Sequence, residues 1–280
     1  DFVSEKTVIH CRGFRQASLV KHIAKHKKVK ALITMHAYRN GKTYKNLFIL
    51  YTLLRFKFID KWIFHTYYSY LDYRKMGMRK KFRIITPGLE SVENVKKESY
   101  YTDIFTQKEK EYKPSQKYIF YTAQFRRDKR HKELLKNIAP LLKKNLDIFL
   151  VLAGSGRMLN YCEKYAQSLG IRKQVVFLGR VNRNIFLNHL KNASVSLVFA
   201  KSETCGYNIL EPMLLNIPVI STPVGIAPEI IKDFENGAIF EIKDKGKMLE
   251  AINHFCSNDF DAKQNTINNK DYSWDIVAKR

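Results

Sequence analysis

Cysteine is scarce in this chain, and the four present are scattered: Cys11, Cys162, Cys205 and Cys256 among 280 residues. No two form a CxxC pair, and no histidine stands at zinc-like spacing from them. That excludes a zinc ribbon and a disulfide-dense small scaffold, and the expectation is a reducing compartment. Long apolar runs are missing too. The longest candidate, Leu47 to Leu54, falls far short of the roughly 20 residues that span a bilayer, and Lys45 and Arg55 flank it. The opening residues do not read as a signal peptide. The chain starts on Asp1 rather than Met, and the expectation is that an N-terminal piece precedes it. There is no internal repeat and no low-complexity segment.

Acids are the minority charge. There are 26 Asp and Glu against 50 Lys and Arg, a net charge of +24. The imbalance is concentrated early: residues 1–100 hold 22 basic residues against 7 acids, and residues 101–280 hold 28 against 19. Such a surface favours anionic partners, whether nucleic acid, acidic lipid headgroups or phosphorylated substrates. A solvated lysine-rich face explains any single cluster equally well. Nucleic acid is the weaker candidate, because no RNP, helix-turn-helix or zinc motif is present.

What is there is a regular alternation. Hydrophobic residues make up 45% of the chain, enough for a buried core, and the length accommodates two domains. Short apolar runs at Thr7 to Ile9, Lys30 to Thr34, Lys61 to Phe64 and Phe82 to Thr86 read as strands, with helices at 17–25, 44–58 and 66–76. Residues 101–116, polar and charged, read as the linker between a partial first domain (1–100) and a second (117–262). In the second the repeat is clearer. Strands are predicted at Lys117 to Ala123, Ile148 to Ala153, Val175 to Leu178, Val195 to Phe199 and Pro218 to Ser221. Helices are predicted at 132–143, 158–169, 185–192 and 207–215. This is the pattern of an α/β, Rossmann-like, doubly wound sheet, which binds ligands beyond the carboxyl ends of its strands.

The candidate site residues fall at those ends. Glu203 follows the strand Val195 to Phe199, and Glu211 lies eight positions on, inside the next helix. Between them Gly206, Tyr207, Asn208 and Ile209 should present backbone N–H groups at a helix N-terminus, a site suited to a diphosphate. A capping acid and a solvent-facing acid would give the same pair. Pro212 is tolerable if it lies near the helix start. The run Gln124 to Lys132 is a basic loop, with Arg126 and Lys129 able to neutralise phosphate. The Gly154-Ser155-Gly156 turn opens a helix, Val181 follows a strand where a base could meet backbone, and Gly225 marks a further turn. In the first domain Arg12 follows one strand and His36 the next.

These residues resemble a known family. Ser202 to Met213, then Ile217 to Ile220 and Gly225 to Glu229, are similar to the donor-site pattern of family four glycosyltransferases. The basic loop ending at Lys129, the Gly154–Gly156 turn and Phe177-Leu178-Gly179 match in order and spacing. The resemblance implies the GT-B fold, two Rossmann-like domains facing a cleft, with the N-terminal one truncated here and 263–280 starting a crossover helix. It implies a retaining hexosyltransferase that uses a UDP- or GDP-sugar without an essential metal or other cofactor. The acceptor would be a glycan or lipid-linked one, in polysaccharide or glycolipid assembly. By resemblance Glu203 contacts the donor sugar, Glu211 the ribose, and Lys129 with Arg126 the diphosphate. Gln124 stands where the family usually has Arg, and Arg12 where many members have His; Arg12 and His36 remain the catalytic candidates of the first domain. The expected location is cytoplasmic, peripheral on the inner membrane face, with Tyr38 to Phe82 as the basic, aromatic contact. The alternatives are a basic nucleic-acid-binding protein and an inactive homologue that binds nucleotide sugar.

Overall fold

The structure is a computed structural model that describes residues 8–12, 17, 30–35, 59–75, 78, 81–86, 117–257 and 272. The chain divides into two compact units. One comprises Asp1–Leu89, Ser202–Cys205 and Lys270–Arg280, the other Glu90–Lys201 and Gly206–Asn269. The expected helices at 17–25 and 44–58, the linker and the crossover segment lie outside the described residues, save Ala17 and Tyr272.

In the first unit, β1 (Val8–Arg12), β2 (Lys30–Met35), β3 (Lys61–Phe64) and β4 (Phe82–Ile84) form a parallel sheet in that order. Helix α1 (Tyr67–Lys75) follows β3. Its Tyr70 stacks on Phe82 at 3.7 Å and meets Phe64 edge-on, so aromatic area fixes the helix against the sheet.

The second unit holds six parallel strands: β5 (Lys117–Thr122), β6 (Ile148–Ala153), β7 (Val175–Gly179), β8 (Val195–Val198), β9 (Val219–Ser221) and β10 (Gly237–Ile239). Their spatial order is β10-β9-β8-β5-β6-β7. Central strands buried on both faces read as unbroken apolar runs, as Tyr118 to Tyr121 and Leu150 to Ala153 do. Alternate residues point to opposite faces. Ile119 and Tyr121 join α2 (His131–Lys144), α3 (Leu159–Ser168) and α7 (Lys245–Phe255) in one core. Tyr118 and Phe120 join Leu190 of α4 (Arg183–Lys191) in a second core on the other face. The sheet is therefore doubly wound. The chain steps outward from β5 to β7, then returns to the opposite side of β5 to lay down β8 through β10. The reversal makes the loops after β5 and β8 the switch point, where such sheets take ligands.

Two elements were not anticipated. Strand β10 is short and starts on Gly237, where a Cβ would lie 2.1 Å from the Val219 carbonyl oxygen; the strand depends on close approach rather than on side chains. Helix α6 (Ala227–Ile230) precedes it, and helix α7 follows it, capped by Asp244, whose carboxylate accepts from the Lys247 amide at 3.0 Å. Pro212 also needs correcting. It is the sixth residue of α5 (Tyr207–Leu214), not part of its first turn. It therefore removes the bond that the Asn208 carbonyl would accept within the helix.

Candidate functional site

The loop after β5 is held down along its length. Arg127–Lys129 form a 3-10 turn, the Lys129 carbonyl accepts from the Tyr121 hydroxyl at 2.5 Å, and the Asp128 carbonyl accepts from the Lys201 amide at 3.4 Å. That last bond ties the loop after β8 to the loop after β5. Gln124 and Arg126 are exposed and Lys129 half-buried. Both arms of the Arg126 guanidinium engage the Asp128 carboxylate, at 3.1 and 2.6 Å. This contact holds Asp128 below the usual carboxylate range. Arg130 stands at φ 56°, in the left-handed region, with its guanidinium over the Phe199 ring at 5.2 Å. His131 is buried and stacked on Phe125 at 4.0 Å, and neither ring nitrogen has a hydrogen-bond partner. Burial, with the Lys129 charge adding to it, pushes its pKa down to about 4, so the ring is neutral at physiological pH.

The Gly154–Gly156 turn packs against this loop. The Phe125 amide donates to the Ser155 carbonyl at 3.0 Å, and the Gly154 amide to Gly179 at 2.7 Å. A Cβ on Gly154 would sit 2.1 Å from the Ala123 carbonyl oxygen, and one on Gly156 2.7 Å from that of Phe125. The two glycines thus let three strand-end loops touch. Val181 is half-buried against the core beneath α4.

Helix α5 starts at Gly206, whose φ of 95° is left-handed. The Ile209 and Leu210 amides both close on the Gly206 carbonyl, at 2.8 and 3.0 Å. Of the amides predicted to face outward, that of Ile209 is therefore turned into the helix, and its side chain is fully buried. The amides of Tyr207 and Asn208 precede the first closed turn, where helix geometry offers no internal acceptor. Thr222, at the end of β9, anchors the approach. Its hydroxyl donates to the Ala200 carbonyl at 2.8 Å, and its amide donates to the Val198 carbonyl at 2.9 Å. Glu203 sits half-buried in the loop before the helix.

Glu211 lies on the inner face of α5, only 6% exposed. Its Oε1 accepts from Nη1 of Arg183, the first residue of α4. Asn182 caps that helix by accepting from the Ile185 amide at 2.9 Å, and the Arg183 guanidinium lies over Phe186 at 5.7 Å. Sequence reasoning passed over Arg183 and Thr222. The capping pattern at Asn182 was readable, but nothing local marks Arg183 as the partner of a glutamate on another helix.

In the first unit, Arg12 closes β1 opposite Thr34 of β2, and its side chain is not among those described. His36 follows β2 directly and lies outside the described residues. Among the described residues no three His, Cys, Asp or Glu side chains gather in a metal-binding group.

A family model for glycosyl transferases group 1 matches residues 103–273. The chain belongs to the group 1 glycosyl transferases. An uncharacterized glycosyltransferase of Methanocaldococcus jannaschii is 32% identical over 170 residues, which is 59% of this chain and 43% of that protein. The alignment thus takes in under half the length of that relative. Among solved structures, sucrose-phosphate synthase of Thermosynechococcus elongatus superposes on this group 1 chain with a TM-score of 0.76 at 18% identity, covering 97% of this chain and 71% of that one. Anabaena HepE in complex with UDP-glucose gives 0.72 at 17%, over 98% and 74%. Identities this low speak to fold alone, and the fold of this group 1 chain is GT-B.

Proposed function

We propose that the protein transfers a hexose from a UDP- or GDP-sugar to a glycan or lipid-linked acceptor with retention of configuration, as a family four member of group 1. One observation carries the reading. The segment ending in Glu211 forms the start of a helix at the switch point of a doubly wound sheet, beside a basic loop that is tied to it. A diphosphate placed there would meet the outward amides of α5 and the charges of Lys129 and Arg126. Charge builds on the leaving diphosphate as its bond to the sugar breaks; the acceptor oxygen bonds the same carbon from the same face, and its hydroxyl proton passes to the departing diphosphate oxygen. Fixed cations and amides stabilise that charge without a metal. Glu203 would orient the sugar, Glu211 would take the ribose hydroxyls, and Arg12 and His36 remain candidates on the acceptor side. Binding of UDP-glucose by the Anabaena neighbour supports a nucleotide-sugar donor.

The deciding test is thermal denaturation against a panel of nucleotide sugars. A ligand bound only by the folded state raises the melting temperature, by an amount that grows with concentration. A rise with a UDP- or GDP-sugar is expected, and Glu203→Ala and Lys129→Ala should then reduce turnover. No rise with any nucleotide or nucleotide sugar would discard the donor site.

A further inference from the structure

Arg183 is unlike the other basic residues around the site. Arg126 and Arg130 pair with acids less buried than Glu211: the Asp128 side chain is 16% exposed and that of Glu133 46%. Arg183 instead reaches a carboxylate that is almost wholly buried: the Glu211 side chain is 8% exposed and that of Arg183 39%. The guanidinium is also positioned from both sides. Its helix is fixed at the first turn by the Asn182 cap, and the Phe186 ring lies beneath the charge. A carboxylate at the end of a flexible side chain has several rotamers. One held through Oε1 by a guanidinium on a capped helix is restricted to the orientation that this contact allows.

We infer that Arg183 is a positioning residue for nucleotide recognition: it holds Glu211 in the orientation that accepts hydrogen bonds from the 2′ and 3′ hydroxyls of the donor ribose. The inference rests on the donor-site reading above, in which Glu211 takes those hydroxyls. The guanidinium acts through the carboxylate. It therefore affects the part of the binding that depends on the diol and leaves the diphosphate part to Lys129 and the amides of α5.

The measurement is calorimetric binding of UDP and GDP and of their 2′,3′-dideoxy forms to the whole chain. The wild-type protein should prefer the ribose form of the nucleotide it binds by about tenfold or more, the scale of hydrogen bonds to a charged acceptor. Arg183→Gln should bring that ratio close to one while binding of the dideoxy form stays nearly constant. Arg183→Lys should recover part of the ratio, since a point charge replaces the fork. Glu211→Gln should lose the ratio as well, and adding Arg183→Gln to it should change nothing more. A purely structural role would instead lower the melting temperature and weaken both nucleotide forms alike, which would overturn the inference. So would wild-type discrimination in Arg183→Gln. If the wild-type chain binds neither UDP nor GDP, the donor-site reading itself falls and takes the inference with it.

Discussion

His131 shows how a single residue sets a pH limit. Its pKa is about 4 in the folded protein, against about 6.5 in an unfolded chain. Between those values the unfolded chain binds a proton that the folded one refuses. Stability is thus complete above pH 6.5 and is lost as pH falls toward 4. His189, buried and likewise pushed down to about 4, acts in the same window. Replacing His131 with Phe keeps the stack on Phe125 and should remove up to about 3 kcal/mol of the acid-side loss, read as a flatter pH dependence in urea denaturation. The glycines separate two roles in the same way. Gly154→Ala drives a Cβ into backbone and should cost about 3 kcal/mol or more. At Gly206 the clash is with the terminal methyl of Ile209, 2.6 Å away, which can rotate. Gly206→Ala should therefore cost only the left-handed penalty of about 1–2 kcal/mol, yet weaken nucleotide binding by disturbing the start of α5. Denaturation and calorimetry on the two variants distinguish these outcomes.

Among the elements, Thr222 joins the ends of β8 and β9. Thr222→Val keeps the shape and removes the hydroxyl, leaving the Ala200 carbonyl short of a donor and the Ala200 amide short of an acceptor. A loss of about 2 kcal/mol is expected, with faster amide exchange across 200–206 by mass spectrometry. Unchanged exchange there would mean that the loop is held by other contacts. The elements also show what could be read in advance. β5 to β9 were legible, because strands buried on both faces must be continuous apolar runs and the loops between them must turn on glycine or a charge. β10 was not, since three residues headed by Gly237 carry no periodic signal and gain their place from contact with Val219. The site divides along the same line. Lys129, Gly206 and Glu211 stood out because they follow strands. Arg183 and Thr222 did not, because a hydroxyl or guanidinium becomes informative only when another element brings its partner within reach. The inward turn of the Ile209 amide was equally hidden, being decided by the left-handed start of α5.

At the scale of the whole molecule, the charge of +24 and its weight in the first hundred residues bear on location. No helix among the described residues is long and apolar enough to cross a membrane. We propose that the basic first hundred residues make any contact with an anionic membrane, each basic residue at the surface contributing about 1 kcal/mol. The protein should pellet with phosphatidylserine vesicles at about 50 mM salt and release at about 0.5 M, where screening is nearly complete; neutral vesicles should leave it in the supernatant. The order of strands in the second unit carries a different consequence, one of timing. β5 can pair with β6 as soon as both exist, whereas its other edge waits for β8, through Ile119 with Val195 and Phe120 with Ser196. Loop closure over so long a stretch of chain is slow. During synthesis the basic loop after β5 therefore emerges well before Glu203 and Glu211, and at the proposed donor site a nucleotide could bind only once β8 and α5 have joined the sheet.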